Sequence, residues 1–402
     1  MTFIGNIPKI LGGKALGATL LVLIYSLYTA AFSFGLNVNL IRLSYALYYA
    51  LSVWYTLKVV SKGNWSPFLR ILFLFFLLVL IHGVFFLVQG TSYRQVQSST
   101  FLISHVASVL PVFPFYYFGK YGKLTNNWFA LMLILFAFDT YCLYYHNRTL
   151  FLESIINADE GFINNTGYVW ASLLPFVAFL NKRKILQYLS IAIIMFFVLT
   201  CFKRGAIVVV IVSLLYFVLH TMHRAGWKQK ILIVFLTIAG VLLLFNFTET
   251  LLSENQFFAA RMERSLEGDS GGRDSIYSFF YKFFFSAENS VNIVFGNGAF
   301  ATIKLFGIEA HNDWLEYAID MGLIGIVLYF IYWKRMAKNY FYFSKHNKDD
   351  MILMAMGMVL IINFIRTFVS MSFSDMSFFS AALVGYTMAV VDKQRFIKAI
   401  SK

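Results

Sequence analysis

The chain has 402 residues, 59% of them hydrophobic and only 13% charged, with 46 Phe and a formal net charge of +14. Soluble domains carry about 25% charged residues, so this composition excludes an ordinary soluble domain and indicates an integral membrane protein. The positive surplus would fit a nucleic-acid binder, but its placement along the chain argues against that class.

Apolar runs of about 17–25 residues span a bilayer, and their backbone groups must pair within the segment, so each is expected to be a helix. In chain order we read about twelve: 15–34, 38–57, 68–89, 101–119, 127–146, 167–180, 185–202, 205–221, 231–247, 314–333, 351–371 and 377–391. The first is too long for the apolar region of a cleavable signal and lacks a small-residue cleavage site, so it is read as a retained span. No internal repeat and no Pro/Gly linker divides the chain, which reads as one membrane domain over 1–402. Outside the spans, Asn147–Thr166 is a polar loop carrying Glu153, Asp159 and Glu160, and Thr248–Asn312 is a much larger one. Inside the large loop, Ile276, Tyr277, Phe279, Phe280, Phe283 and Phe284 recur at three and four residues. That spacing predicts an amphipathic helix over 275–286, lying on the membrane surface or packed as a lid on the bundle.

Most of the 33 Lys and Arg fall in loops on one side, among them Lys58, Lys62, Arg70, Lys120, Lys182, Arg183, Lys184, Arg224, Lys334, Arg335 and Lys338. The short loops of the other side hold only Arg94, Arg148, Lys203 and Arg204. This bias predicts cytoplasmic termini and an outward-facing Thr248–Asn312, and it makes the net charge a matter of topology. Cys142 and Cys201 form neither a spaced framework nor a zinc motif and are expected to be buried thiols.

The polar groups that bear chemistry lie near the outer ends of spans. His311-Asn312 stands immediately before an apolar helix; its imidazole titrates near neutral pH and can take a proton from a hydroxyl, while Asn312 suits a helix cap. Lys203-Arg204 opens a helix on the side that disfavours cations, which fits either an anionic partner or snorkelling to lipid phosphates. Gly271-Gly272-Arg273-Asp274, with Arg261 and Arg264, brings several arginines into one loop. Together they are suited to clamping a diphosphate or to pairing with Glu263, Glu267, Asp269 and Asp274. Arg42 and Arg366 lie within spans and are expected to face the interior, with Asp139 a partner for one of them. His82, His105 and His146 are expected to be packed and hydrogen-bonded. Asp313, Glu316, Tyr317 and Asp320 share one helix face, read as a polar face lining the bundle. The sequence contains no Asp-x-Asp, HExxH, Walker or dinucleotide motif, so no metal and no cofactor is expected.

These residues resemble the superfamily of O-antigen polymerases and O-antigen ligases, glycosyltransferases of the bacterial envelope. Three stretches carry the resemblance, over roughly residues 200–330: Lys203-Arg204-Gly205-Ala206; Gly272-Arg273-Asp274 with the following aromatic helix and Gly296-Asn297-Gly298-Ala299-Phe300; and Ala310-His311-Asn312 through Gly322-Leu323-Ile324-Gly325. Lys203 stands where the family has a small hydroxyl residue. The resemblance implies an all-α, polytopic, membrane-embedded glycosyltransferase of GT-C-like architecture in the bacterial inner membrane, with its active site facing the periplasm. It also implies an inverting, metal-independent transfer from a glycan on undecaprenyl diphosphate, with a lipid-linked oligosaccharide as acceptor. Membrane lipids and a chain-length regulator protein would be its partners, and nucleic acid would not. By the same resemblance Arg204 and Arg273 bind the diphosphate and His311 orients or deprotonates the acceptor. Asn312, Lys203, Arg261, Arg264 and Arg366 are the further binding candidates. A polymerase is the preferred reading; a ligase acting on a lipid A core, or a flippase from a different class, are the alternatives.

Overall fold

In a bilayer the apolar effect is inverted: large apolar side chains face lipid, while small and hydroxylated ones let helices approach each other. The computed structural model, which describes residues 13–63, 65–89, 106, 108–122, 124–156, 164–254, 263, 272–346, 349–372 and 376–400, follows that rule from its first helix pair. Helix α1 (Leu16–Ser33) and α2 (Val38–Ser61) are joined by a short turn, in which Asn37 caps α2 by accepting from Asn39 N at 2.8 Å. Their buried positions are mostly small or hydroxylated, among them Ala18, Ser26, Thr29, Ala31 and Ser33 on α1 and Ser44, Ser52 and Thr56 on α2, with Leu21 and Tyr48 as larger exceptions. Leu16, Leu20, Leu23 and Leu27 of α1 and Leu43, Leu47, Trp54 and Leu57 of α2 are exposed. A soluble protein rarely shows apolar surface on that scale.

The remaining helices are α3 (Pro67–Gln89), α4 (Val112–Tyr121), α5 (Asn126–Ile156), α6 (Thr166–Ala171), α7 (Lys184–Thr200), α8 (Arg204–Arg224) and α9 (Trp227–Glu254). They are followed by α10 (Arg273–Phe284), α11 (Ala301–Phe306), α12 (Asp313–His346), α13 (Asp350–Val369) and α14 (Phe378–Ile400). Every regular element among the described residues is helical. Six helices, α1, α3, α5, α8, α12 and α13, are long and apolar enough to cross a membrane, and Thr166–Leu180 and Lys184–Thr200 are shorter apolar segments. The chain is thus an all-α protein of membrane type.

The centre is an aromatic core in which α4 and α14 cross closely. A Cβ on Gly385 would lie 2.2 Å from Val112 O, and one on Gly119 would lie 2.8 Å from Ala389 Cβ, so both glycines are required by the approach. Around this crossing, Phe378 and Phe379 meet Phe136 at 6.0 and 4.5 Å, and Phe129 stacks on Phe179 at 4.5 Å.

Both ends of the bundle carry basic side chains. At one end Lys62 lies 4.1 Å over the Tyr121 ring, Arg395 lies 4.4 Å over Tyr342, and Arg224 Nε reaches Asp350 at 3.4 Å. Tyr216 and Tyr340 hydroxyls, 3.0 Å apart, tie α8 to α12 there. The opposite end gathers the starts of α6, α8, α10 and α12 and the end of α13.

Several expectations are corrected. Arg42 is exposed rather than interior, because it stands only four residues into α2, close enough to the helix end for its head to leave the apolar layer. Asp139 pairs with neither arginine; Ser26 Oγ donates to its Oδ2 at 2.8 Å. Helix α5 continues to Ile156, through the first part of the expected loop 147–166, and α9 continues to Glu254, past the expected start of the large loop. The apolar run 167–180 is α6 followed by a 3-10 segment, Leu174–Leu180, with Pro175 preventing a continuous α-helix. Cys142 and Cys201 are buried and unbridged, and the His82 ring nitrogens lie 2.9 Å from Leu78 O and 3.0 Å from Phe295 O, so the ring is hydrogen-bonded in either tautomer. Arg261, Arg264 and His105 lie outside the described residues.

Candidate functional site

The site is built on a break in α12. Gly322 has φ 63° and ψ −158°, a combination essentially restricted to glycine, and it divides α12 into a short first part and a long apolar second part. A break frees backbone groups that must find partners. The loop before α11 supplies them: Asn297 N and Gly298 N donate to Ile319 O and Asp320 O, both at 2.9 Å, while Leu323 N and Ile324 N donate to Ile293 O and Val294 O at 2.9 and 3.2 Å. Contact is backbone to backbone. A Cβ on Gly296 would stand 2.2 Å from Asp320 O, and one on Gly322 would stand 2.5 Å from Val294 O. The Gly-Asn-Gly turn and the Gly-Leu-Ile-Gly stretch are therefore two halves of one joint.

The acidic face of α12 holds the surrounding segments in place. Asp320 accepts from Phe300 N and Ala301 N at 2.8 and 2.9 Å, at the start of α11. Glu316 accepts from the Thr302 hydroxyl and from Ala310 N, the latter at 2.9 Å. Asp313 accepts from Tyr329 Oη at 2.6 Å and from Ser372 N at 3.0 Å. All three carboxyls are buried. Their satisfied bonds account for them as a polar face within the bundle.

His311 is fixed by its neighbours. Glu316 pins the backbone of Ala310 on one side, and on the other Asn312 caps α12, its Oδ1 accepting from Trp314 N and Leu315 N at 2.9 and 3.3 Å. Between them His311 takes φ 52°, an uncommon left-handed conformation for a residue with a side chain. Its imidazole is 49% exposed, with Nδ1 3.7 Å from the Glu309 carboxylate. Burial first, then the positive charges of Lys203 and Arg273, hold its pKa below the ordinary histidine value. The imidazole is consequently neutral at pH 7 and able to accept a proton.

Lys203 ends the tight connection between α7 and α8, in which Phe202 has φ 53°. Gly205 follows because a Cβ there would lie 2.1 Å from Tyr168 Oη. The Tyr168 phenol, laid across the first turn of α8, is the hub of the polar end. Lys203 Nζ is 5.8 Å from its ring centre, and the Arg366 guanidinium carbon is 4.8 Å from it. Its hydroxyl donates toward Val369 O at 3.4 Å. Arg273 and Tyr277 lie within electrostatic reach of the same hydroxyl.

Arg273 is the first residue of α10, which starts where the expected amphipathic helix does, within two residues. Its apolar side, Ile276, Phe280, Phe283 and Phe284, packs with Phe306, Leu315 and Ile319, so the helix lies on protein, while Phe279, Tyr281 and Phe285 remain exposed. Tyr277 Oη fastens it, donating to Phe368 O at 3.0 Å, with His311 O 3.5 Å away.

The structure therefore gathers Lys203 and His311, from the residues just before α8 and α12, with Arg273 of α10 and Arg366 of α13, around Tyr168 and Tyr277. Arg204, half-buried, opens α8 beside Lys203. Arg366 is 1% exposed, with Nη2 donating to Met371 O at 2.9 Å, so it acts within the wall of the site. Sequence reasoning missed Tyr168, hidden inside an apolar run, and counted Tyr277 as part of an apolar face. The usable signal was a tyrosine near a span end, where its hydroxyl needs a polar partner. Fold and site define a helical membrane protein with a cationic, histidine-bearing cluster at one end of its bundle. No family model matches the chain, and no curated protein matches it.

Proposed function

We propose that the chain is a membrane-embedded glycosyltransferase, an O-antigen or surface-polysaccharide polymerase, that joins undecaprenyl-diphosphate-linked repeat units at the periplasmic face of the bacterial inner membrane. The observation that supports this most is the meeting of a neutral, half-exposed His311 with Lys203 and Arg273 at one end of the bundle. The acceptor hydroxyl attacks the anomeric carbon of the donor glycan, and the new glycosidic bond forms as the bond to the diphosphate breaks, with inversion. His311 takes the hydroxyl proton. Arg204 and Arg273 bind the departing lipid diphosphate and stabilise the charge that builds on it; Lys203 adds to the same field. Arg366 holds Tyr168 in place, and Asn312 serves by fixing His311 ahead of α12.

The cellular test is Arg273→Ala. Loss of polymer with lipid-linked repeat units collecting at the outer leaflet is the expected outcome. Units trapped at the inner leaflet would instead mark a flippase, and undiminished polymer would remove Arg273 from the mechanism.

A further inference from the structure

Asp139 lies inside α5 at 0% exposure and is not among the residues of the polar cluster described above. Its Oδ2 accepts from Ser26 Oγ at 2.8 Å, whereas Oδ1 has no hydrogen-bond partner. Among the described residues no basic side chain forms an ion pair with it. Ionised, the group is a lone negative charge in an apolar interior. Protonated on Oδ2 it can donate to Ser26 Oγ, but Oδ1 is then still a buried oxygen with no donor.

The facing helix carries oxygens with the same deficiency. Ser26, Thr29 and Ser33 follow one another at three and four residues, so they share the face of α1 that packs on α5. Thr29 is 1% and Ser33 6% exposed, yet neither hydroxyl has a hydrogen-bond partner. Helical Ser and Thr usually donate to a carbonyl one turn back, as Thr140 does to Phe136 O at 2.7 Å. Three buried polar atoms in need of partners, on two packed helices, mark a place built for a polar ligand.

We propose that Asp139, Ser26 and Thr29 form an intramembrane site for a small monovalent cation of the Na⁺ kind. The donors are carboxylate and hydroxyl oxygens, which suit a hard cation. A single carboxylate balances one positive charge, whereas a divalent ion would leave a net charge buried. Ser26 keeps its proton on Oδ2 while its lone pairs face the ion; Oδ1 and Thr29 Oγ1 bind directly. Ser33, one turn further along α1, lines the access path. Beyond Ser33, at the end of α1, the Phe32 ring lies 5.3 Å from His146 of α5. The bound ion clamps α1 to α5. This site is independent of the transferase reading.

The test is thermal unfolding of the purified full chain in detergent, titrated with NaCl against choline chloride at constant ionic strength. The wild type should show a saturable upward shift in Tm with Na⁺ and none with choline. Asp139→Asn should abolish the shift. Thr29→Val, which preserves shape and is the variant to rely on if Asp139→Asn fails to fold, should raise the Na⁺ concentration for half-saturation several-fold. Equal Tm in NaCl and choline chloride would mean that water alone satisfies these oxygens and would overturn the proposal. So would an undiminished Na⁺ response in Asp139→Asn, or an unchanged half-saturation in Thr29→Val.

Discussion

Replacing Gly322 by alanine should unlatch the loop before α11 from the broken helix. At φ 63° and ψ −158° an alanine is held in a region that costs about 1–3 kcal/mol. Its Cβ would also meet Val294 O at 2.5 Å and Gly296 N at 2.6 Å, both backbone atoms that cannot rotate away. Relieving the contact separates 293–298 from 319–324, where each interstrand-like backbone bond contributes about 0.5–1.5 kcal/mol net. Strain plus the loss of two such bonds amounts to about 3 kcal/mol, which by linkage is roughly a 100-fold loss of protection from exchange. Hydrogen exchange read by mass spectrometry in detergent should therefore show faster exchange in peptides covering Asn297, Gly298, Leu323 and Ile324, with the cores of α4 and α14 unchanged. Gly240→Ala is the control, because a Cβ there meets nothing within 4 Å. Unchanged protection over 293–300 in Gly322→Ala would refute the idea that the helix break holds this loop.

Other consequences can be checked on the same protein. His311 has a depressed pKa, so the base is lost only as pH falls below the ordinary histidine value of about 6.5. Lys203→Gln removes a positive charge that lowers that pKa. The acid limb of the pH–rate profile should then move to higher pH, and a limb that does not move would separate Lys203 from the imidazole. Gly205→Ala drives a Cβ to 2.1 Å from Tyr168 Oη, against a buried phenol, and should cost about 1–3 kcal/mol through overpacking. Tyr168→Phe in the same chain should recover part of that loss in Tm, and a double variant no more stable than the single one would show that the clash is not the cause.

The helical character was readable because long apolar runs admit little else in a membrane, but against about twelve expected spans six helices among the described residues are long and apolar enough to cross one. The start of α10 was readable from its three- and four-residue aromatic spacing. The joint at Gly322 was not, because Met321, Leu323 and Ile324 continue the apolar run without interruption and nothing local announces a break. Only the approach of a second backbone, 20-odd positions earlier in the chain, explains Gly296 and Gly322. Lys203, Arg273 and His311 stood out as charges and a titratable ring at span ends. Tyr168 did not, since its importance lies in what Gly205 and Arg366 place around it. Asp139 was read as a partner for an arginine, and its actual partner, Ser26, was not foreseen, because a serine in a neighbouring span carries no charge to advertise the pairing.

The central claim is tested most directly in vitro. Purified protein in detergent is supplied with undecaprenyl-diphosphate-linked repeat units from its host, in EDTA, and products are separated on a gel. The account predicts a ladder of polymer from the wild type. In His311→Ala, removal of a general base should slow the ladder by about 10²–10⁴-fold with donor binding retained. Transfer only when a lipid A core is added as acceptor would make the protein a ligase. An undiminished ladder from His311→Ala, or no transfer to either acceptor, would contradict the account.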